Sequence, residues 1–388
     1  MQGKQYLQML DDKLAASGKA RHSASKYDFV KVKVWVGENL AHYYVLSRFL
    51  ISRMLTVTKI PQMKAVKIAL EVKKHLVDND FMDISQDHFE AILFNVMRAR
   101  GFGDDYVERY KMVTKFFQQR RPLIVLICGV PCTGKSTLAQ QLASRLNMPN
   151  VLQTDAIYEL MRMSEDGPLQ PTPLWDRDDL SPGGLVREFL RECRIVRKGL
   201  DGSLFKCISD GKSIIMEGMH LDPSLYLYEF ARFGQAHLKS GSLYNSDSNS
   251  AGAQRPDPAS IPLEEGSSPS NAATEADDEE ELKPGPVFVP IVLCMDDVDH
   301  ELLVREWHAC HAGAARDGEA SGGPEERARS TLERLRVLQS HMCSYEQRCV
   351  PVVKVELANF NETLDRLHDY LLLCIQMAME QDEADAHP

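Results

Sequence analysis

The chain has 388 residues, of which 26% are charged and 44% hydrophobic. This composition excludes a disordered, collagenous or small disulfide-stapled protein and gives length enough for two domains. The net charge of −11 argues against a nucleic-acid binder, but residues 241–282 carry −9 of it and residues 380–388 carry −4, while residues 1–121 carry +8.

Residues 1–27 mix Lys4, Lys13, Lys19 and Arg21 with Asp11 and Asp12, contain no apolar core of signal-peptide length, and are expected to form a flexible lead-in. No run of 18 apolar residues occurs, so no membrane partner is expected. The nine cysteines, at 128, 132, 193, 207, 294, 310, 343, 349 and 374, are odd in number and lack zinc-site spacing. They read as free thiols in a reducing, cytoplasmic setting. Phe29–Val36 alternates apolar and basic residues, the period of a half-exposed strand. Helices are expected at about 43–56, 61–77, 86–100 and 104–118. Pro61 opens the second, Ser85 and Asp104 cap the third and fourth, and Gly101 closes the third. Residues 28–119 thus read as a small, mostly helical module.

After Arg120-Arg121-Pro122 the pattern changes. Leu123–Cys128 is continuously apolar, as a central parallel strand buried on both faces requires. Further strands are expected at 151–153, 213–216, 288–294 and 350–355. Helices at 135–145, 156–163, 183–200, 299–310, 325–345 and 361–379 separate them. That alternation predicts an α/β domain over 120–379, a parallel sheet with helices on both faces. Residues 239–286, rich in Ser, Asn, Ala, Pro and Gly, read as a disordered acidic insertion and a surface for a protein partner. Residues 380–388 form an acidic tail.

Gly129-Val130-Pro131-Cys132-Thr133-Gly134-Lys135-Ser136 satisfies GxxxxGK[ST] between an apolar strand and an amphipathic helix. Small residues let successive N–H groups face one phosphate, and the helix N-terminus adds positive potential. Residues 129–137, with Thr137 opening the helix, are therefore expected to hold ATP, with Lys135 on the β and γ phosphates and the Ser136 hydroxyl on Mg²⁺. Cys132 fills a loop position that suits any small residue. Thr154 and Asp155 follow the second strand, where ligands of an open sheet bind. Asp155 either holds metal and takes an acceptor proton or only caps a helix beginning at Ala156, and Arg162 lies two turns further on the same face. Glu217 ends the third strand as a Walker-B-like acid, with Gly218 beside it. His220 either contacts substrate or packs. Arg187, Arg191, Arg194 and Lys198 form one helix stripe, suited to an anionic acceptor or to a solvated face paired with Glu188 and Glu192. Arg305, Arg327 and Arg329 flank a Gly/Ala-rich stretch at 310–326 where a closing lid is expected.

At these motifs the sequence resembles the 2-phosphoglycerate kinases, and within them the plant-type low-phytic-acid P-loop proteins. The resemblance runs through Tyr44–Ile60, Arg109–Met112, the phosphate loop, Thr154-Asp155, Cys193–Gly199, Glu217–Pro223, Val289–Leu293 and Asp299-His300. It implies Mg²⁺-dependent transfer of phosphate from ATP to 2-phosphoglycerate, a small phosphorylated substrate, giving 2,3-bisphosphoglycerate. For the plant-type branch it implies a role in phytate accumulation, and it likens the N-terminal module to an ATP-cone. The chain departs from the archaeal-type pattern at Tyr158, where an arginine is usual, and at Glu301–Arg305. An inositol phosphate kinase and a nucleotide-gated regulatory protein with little catalysis remain as alternatives.

Overall fold

The computed structural model describes residues 26–37, 42–164, 167–177, 179–226, 285–311 and 324–386. Nearly all of the expected lead-in and of the acidic insertion, and most of the 310–326 stretch, lie outside the described residues. The chain divides into two units, with the boundary after Val113.

In the first unit β1 (Lys33–Val36) lies between β2 (His42–Val45), which is antiparallel to it, and β3 (Asp83–Ser85), which is parallel. The helices are α1 (Arg48–Val57), α2 (Gln62–Asp78), α3 (Gln86–Ala99) and α4 (Asp104–Gln118), the last running across the boundary. Ala65, Ile68, Ala69, Val72 and Leu76 recur at helical spacing on α2 and are buried with Val34, Leu55, Phe89 and Leu93. The Ser85 hydroxyl accepts the His88 N–H at 3.3 Å and caps α3. Asp104 is the first helical residue rather than a cap, and it pairs with Arg98 at 2.8 Å. The strand expected over 29–36 keeps only its last four residues, behind a 3₁₀ turn at Lys26–Phe29. Residues 43–45, expected at the start of a helix, lie in an edge strand whose residues all fall in the exposed range, so no alternating burial marks it.

The second unit holds five parallel strands in the order β5-β6-β4-β7-β8. They are β4 (Leu123–Cys128), β5 (Val151–Gln153), β6 (Ile214–Gly218), β7 (Val287–Met295) and β8 (Val352–Val355). Between and after them run α5 (Lys135–Arg145), α6 (Thr154–Arg162), α7 (Pro182–Asp210), α8 (Asp297–His311), α9 (Pro324–Cys343) and α10 (Phe360–Ala386). Every residue of β4 is buried. Ile124, Leu126 and Cys128 join one core cluster with Phe189, Val196 and Leu338, while Leu123, Val125 and Ile127 point to the opposite face. The sheet is thus covered on both sides, the α/β arrangement of a P-loop domain. Helix α7 continues ten residues past its expected end. Helix α10 takes in most of the acidic tail, where Asp382 pairs with the buried Arg121 at 2.5 Å. No described helix is long and apolar enough to cross a membrane.

Candidate functional site

The parallel register puts the chemistry at one edge of the sheet. Ile127 is opposite Glu217, Cys128 opposite Gly218 and Val292, and Gln153 opposite Glu217. The segments leaving β4, β5, β6 and β7 therefore start side by side, at the carboxyl ends where an open α/β sheet binds ligands.

The loop after β4 is built to present its amides. Cys132 and Gly134 both take left-handed backbone, with φ of 64° and 79°, which turns consecutive N–H groups inward as an anion-binding nest requires. Gly129 lacks room for a side chain, since a Cβ there would sit 2.9 Å from the Leu293 carbonyl oxygen on β7. The Val130 carbonyl accepts both the Thr133 hydroxyl, at 2.8 Å, and the buried Lys135 Nζ, at 3.0 Å. His300, from α8, donates through Nε2 to the Pro131 carbonyl at 2.9 Å. Its Nδ1 is buried without a partner, and burial holds the ring pKa down. His300 carried only a resemblance in the sequence, because a histidine one turn into a helix has no signature of its own. Burial pushes the Cys132 thiol up to about 11, so it is protonated near neutrality and is no nucleophile.

Three further groups stand at the neighbouring strand ends, Glu217 against the loop and Thr154 and Asp155 beside the end of β6. Glu217 is buried, and its pKa is raised by burial and the neighbouring Asp155 against the opposing pull of the Ser136 hydrogen bond and Lys135. One of its oxygens, Oε2, has no partner, and neither has the buried Thr154 Oγ1. Asp155 is the second residue of α6, and its Oδ1 accepts the Met219 N–H at 2.9 Å. It is not a cap placed ahead of a helix starting at Ala156. Instead it ties α6 to the residue after Gly218, where a Cβ would fall 1.9 Å from Thr154 Oγ1.

The remaining sequence-derived candidates stand after β6 and on α6, α7, α8 and α9. His220 is buried, stacked on Tyr158 with ring centroids 3.9 Å apart, and its Nε2 is 3.3 Å from Glu192. Glu192 also binds Arg177 at 2.6 Å, and together these partners overcome the effect of burial and lower its pKa. Arg162 is bonded to Glu159 and to the Pro171 carbonyl, and Arg191 forks onto Glu188 at 2.7 and 2.9 Å. Arg194 is exposed. Arg305 pairs with Glu301 at 2.6 Å and Arg329 with Glu333 at 3.6 Å, and both line a groove of about 330 Å³ between α8 and α9. Arg327, on α9, is half-buried. The structure therefore assembles the loop, Thr154, Asp155 and Glu217, while most of the arginines are engaged by carboxylates of their own helices.

Sequence reasoning passed over Asp222. It is fully buried and accepts Tyr345 Oη at 2.8 Å, His341 Nε2 at 3.2 Å and both the N–H and hydroxyl of Ser224. Burial alone would raise its pKa, but these hydrogen bonds outweigh it and hold the carboxyl low. Its signal was its place in the Glu217–Pro223 run, five residues after the strand-end acid.

A glycine-flanked nest at a helix N-terminus, a buried lysine over it and two acids at neighbouring strand ends define a P-loop domain of the kinase type. A family model described as AAA domain matches residues 125–242. The sequence is also similar to proteins named 2-phosphoglycerate kinase. It is 31% identical to that of Methanopyrus kandleri over 201 residues, 50% of this chain and 61% of that protein. It is 29% identical to that of Methanocaldococcus jannaschii, covering 46% and 60%, and 28% identical to that of Pyrococcus horikoshii, covering 47% and 63%. The chain thus spans about three-fifths of the length of these relatives. Among solved structures, a tRNA isopentenylpyrophosphate transferase from Bacillus halodurans aligns over 68% of this chain at 12% identity and a TM-score of 0.30.

Proposed function

We propose that the protein transfers the γ-phosphoryl group of ATP to a small phosphorylated acceptor, with 2-phosphoglycerate the leading substrate and 2,3-bisphosphoglycerate the product. The observation that carries this reading is the convergence of Lys135, Ser136, Asp155 and Glu217 on one loop. Kinship with enzymes named for that reaction supports the choice of acceptor.

The loop amides and Lys135 Nζ bind the phosphates and neutralise charge in transfer, which is mostly a matter of positioning and electrostatics. The hard oxygens needed for Mg²⁺ are present as Ser136 Oγ and the carboxylates of Asp155 and Glu217. The unpartnered Glu217 Oε2 is the atom a cation would satisfy. When bound, Mg²⁺ supplies charge neutralisation between the β and γ phosphates. With Oδ1 held by Met219 N–H, Asp155 keeps Oδ2 to accept the acceptor's hydroxyl proton. Arg162, Arg191 and Arg194 are the side chains for the acceptor's anionic group. The first two must then exchange Glu159 and Glu188 for substrate oxygens.

The test is phosphate transfer from labelled ATP to 2-phosphoglycerate, with inositol phosphates assayed beside it and Lys135→Ala as control. Labelled 2,3-bisphosphoglycerate that disappears in the variant supports the reading. Preferential labelling of an inositol phosphate replaces the acceptor and would tie the chain to phytate synthesis directly. ATP binding with no transfer to any acceptor refutes the catalytic reading and favours a nucleotide-gated protein.

A further inference from the structure

Cys294, the penultimate residue of β7, and Cys343, the last residue of α9, are half-buried free thiols joined by a hydrogen bond. Contacts that involve no sulfur fix the same juxtaposition. One turn before Cys343, Gln339 Nε2 donates to the Met295 carbonyl at 2.9 Å, and Met295 N–H donates to Gln339 Oε1 at 3.1 Å. Gln339 and Cys343, four apart on one helix, share a face. The side-chain amide therefore completes the backbone bonding of the residue after Cys294 and sets Cys343 beside it. On the strand side, Cys294 Sγ lies 3.7 Å from the Val353 carbonyl.

We propose that Cys294 and Cys343 are a modification site, a dithiol pair that a hydroperoxide converts reversibly into a disulfide. The Cys343 thiolate attacks the O–O bond, taking one oxygen to become a sulfenic acid and releasing water or alcohol after protonation. Cys294 then attacks that sulfur, the S–S bond forms, and the hydroxyl leaves as water with the Cys294 proton. Two thiols lose two electrons and two protons, and the peroxide is reduced by the same count. The order of attack follows from the opposite shifts of the two thiols. The contact between the two thiols lowers the Cys343 thiol and raises that of Cys294. Asp296 and Lys354 face Cys294, and Glu346 faces Cys343. Cys128 and Cys193 also lie near each other, but both are fully buried and pushed well up, so they are poor attackers. The bond closes a covalent loop containing α8 and α9, which restricts the unfolded chain. The site is independent of any kinase activity.

The experiment treats the full chain with hydrogen peroxide, then maps peptides without reduction and measures the melting temperature. The expected result is a linked peptide pair containing Cys294 and Cys343, lighter by two hydrogens, removed by a thiol reductant and accompanied by a higher melting temperature. In Cys294→Ser the reaction is expected to stop at a Cys343 sulfenic acid that a 1,3-dione probe captures. Peroxide-treated wild-type protein with no such link, or with a Cys128–Cys193 link in its place, overturns the proposal whatever the variants do.

Discussion

Gly218 sets the distance between the end of β6 and the first turn of α6, so Gly218→Ala is an incisive perturbation. The added Cβ would sit 1.9 Å from Thr154 Oγ1 and 2.9 Å from Asp155 Oδ1. Neither neighbour yields easily, since Thr154 is buried and branched at Cβ and Asp155 is held by the Met219 N–H. Restoring ordinary contact means moving the start of α6 by roughly 1.5 Å, an overpacking strain of about 1–3 kcal/mol. The same shift stretches the Met219–Asp155 hydrogen bond, which adds about 1–3 kcal/mol. A combined loss of about 2–6 kcal/mol lowers the melting temperature by roughly 4–12 °C, at about 2 °C per kcal/mol in a domain of this size. Displacing Asp155 by about 1 Å also costs phosphoryl transfer about 100-fold. The control is Gly202→Ala within α7, where a Cβ meets nothing within 4 Å and an alanine is expected to stabilise the helix by about 0.5–1 kcal/mol. Thermal melts and initial-rate assays of both variants decide the matter. If Gly218→Ala melts and turns over like wild type, the β6–α6 junction does not position Asp155 and the site described above is wrong.

Lys135→Ala is expected to lower turnover by about 100-fold or more while leaving the melting curve near that of wild type, and a variant retaining wild-type rate would remove this lysine from the mechanism. Glu217 has a folded-state pKa above its ordinary value of 4.5, so its ionisation opposes folding: that stability is present below pH 4.5 and lost as pH rises through the folded-state value. Glu217→Gln should therefore melt higher than wild type at neutral pH and lose this advantage below pH 4.5, while phosphoryl transfer falls; melts across a pH series check the sign. Asp222 behaves oppositely. Its pKa lies below the ordinary 3.8, so its contribution is present above pH 3.8 and disappears as pH falls through the lowered value. Asp222→Asn is expected to cost about 1.5–3 kcal/mol in denaturant unfolding at neutral pH, and an unchanged midpoint would show that its hydrogen bonds carry no net stability.

The legible parts of this protein are those in which local sequence and local structure coincide. Leu123–Cys128 announces a buried strand because both of its faces are covered, and the next eight residues announce the loop because backbone chemistry dictates their sizes. Strand-end position was enough to single out Asp155 and Glu217. The arginines were less legible because spacing along a helix reports which face a side chain shares, not what it meets. Arg191 reads as one of a stripe suited either to an anion or to pairing with Glu188 and Glu192, and Glu188 occupies its guanidinium fork. His220 was ambiguous for the same reason, and its stacking on Tyr158 and approach to Glu192 depend on α6 and α7 meeting β6. The edge strand His42–Val45 was invisible because all four of its residues are exposed, leaving no period to detect.

The eight residues from Glu217 to Ser224 show how one short segment serves both the site and the fold. Glu217 turns toward Ser136 and Lys135, Gly218 admits Thr154, and the Met219 N–H fixes Asp155. His220 then reaches Glu192 on α7, and Asp222 takes His341 and Tyr345 from the far end of α9 and the turn after it. Consecutive residues thus answer to the phosphate loop, α6, α7 and α9 in turn, so a displacement of this segment moves Glu217 and Asp155 together. Such coupling makes a specific expectation. Asp222→Asn should reduce transfer through misplacement of Glu217 and Asp155, and the defect should grow as the variant approaches its melting transition. A rate that stays proportional to wild type up to that transition would mean that Asp222 stabilises the fold without ordering the site.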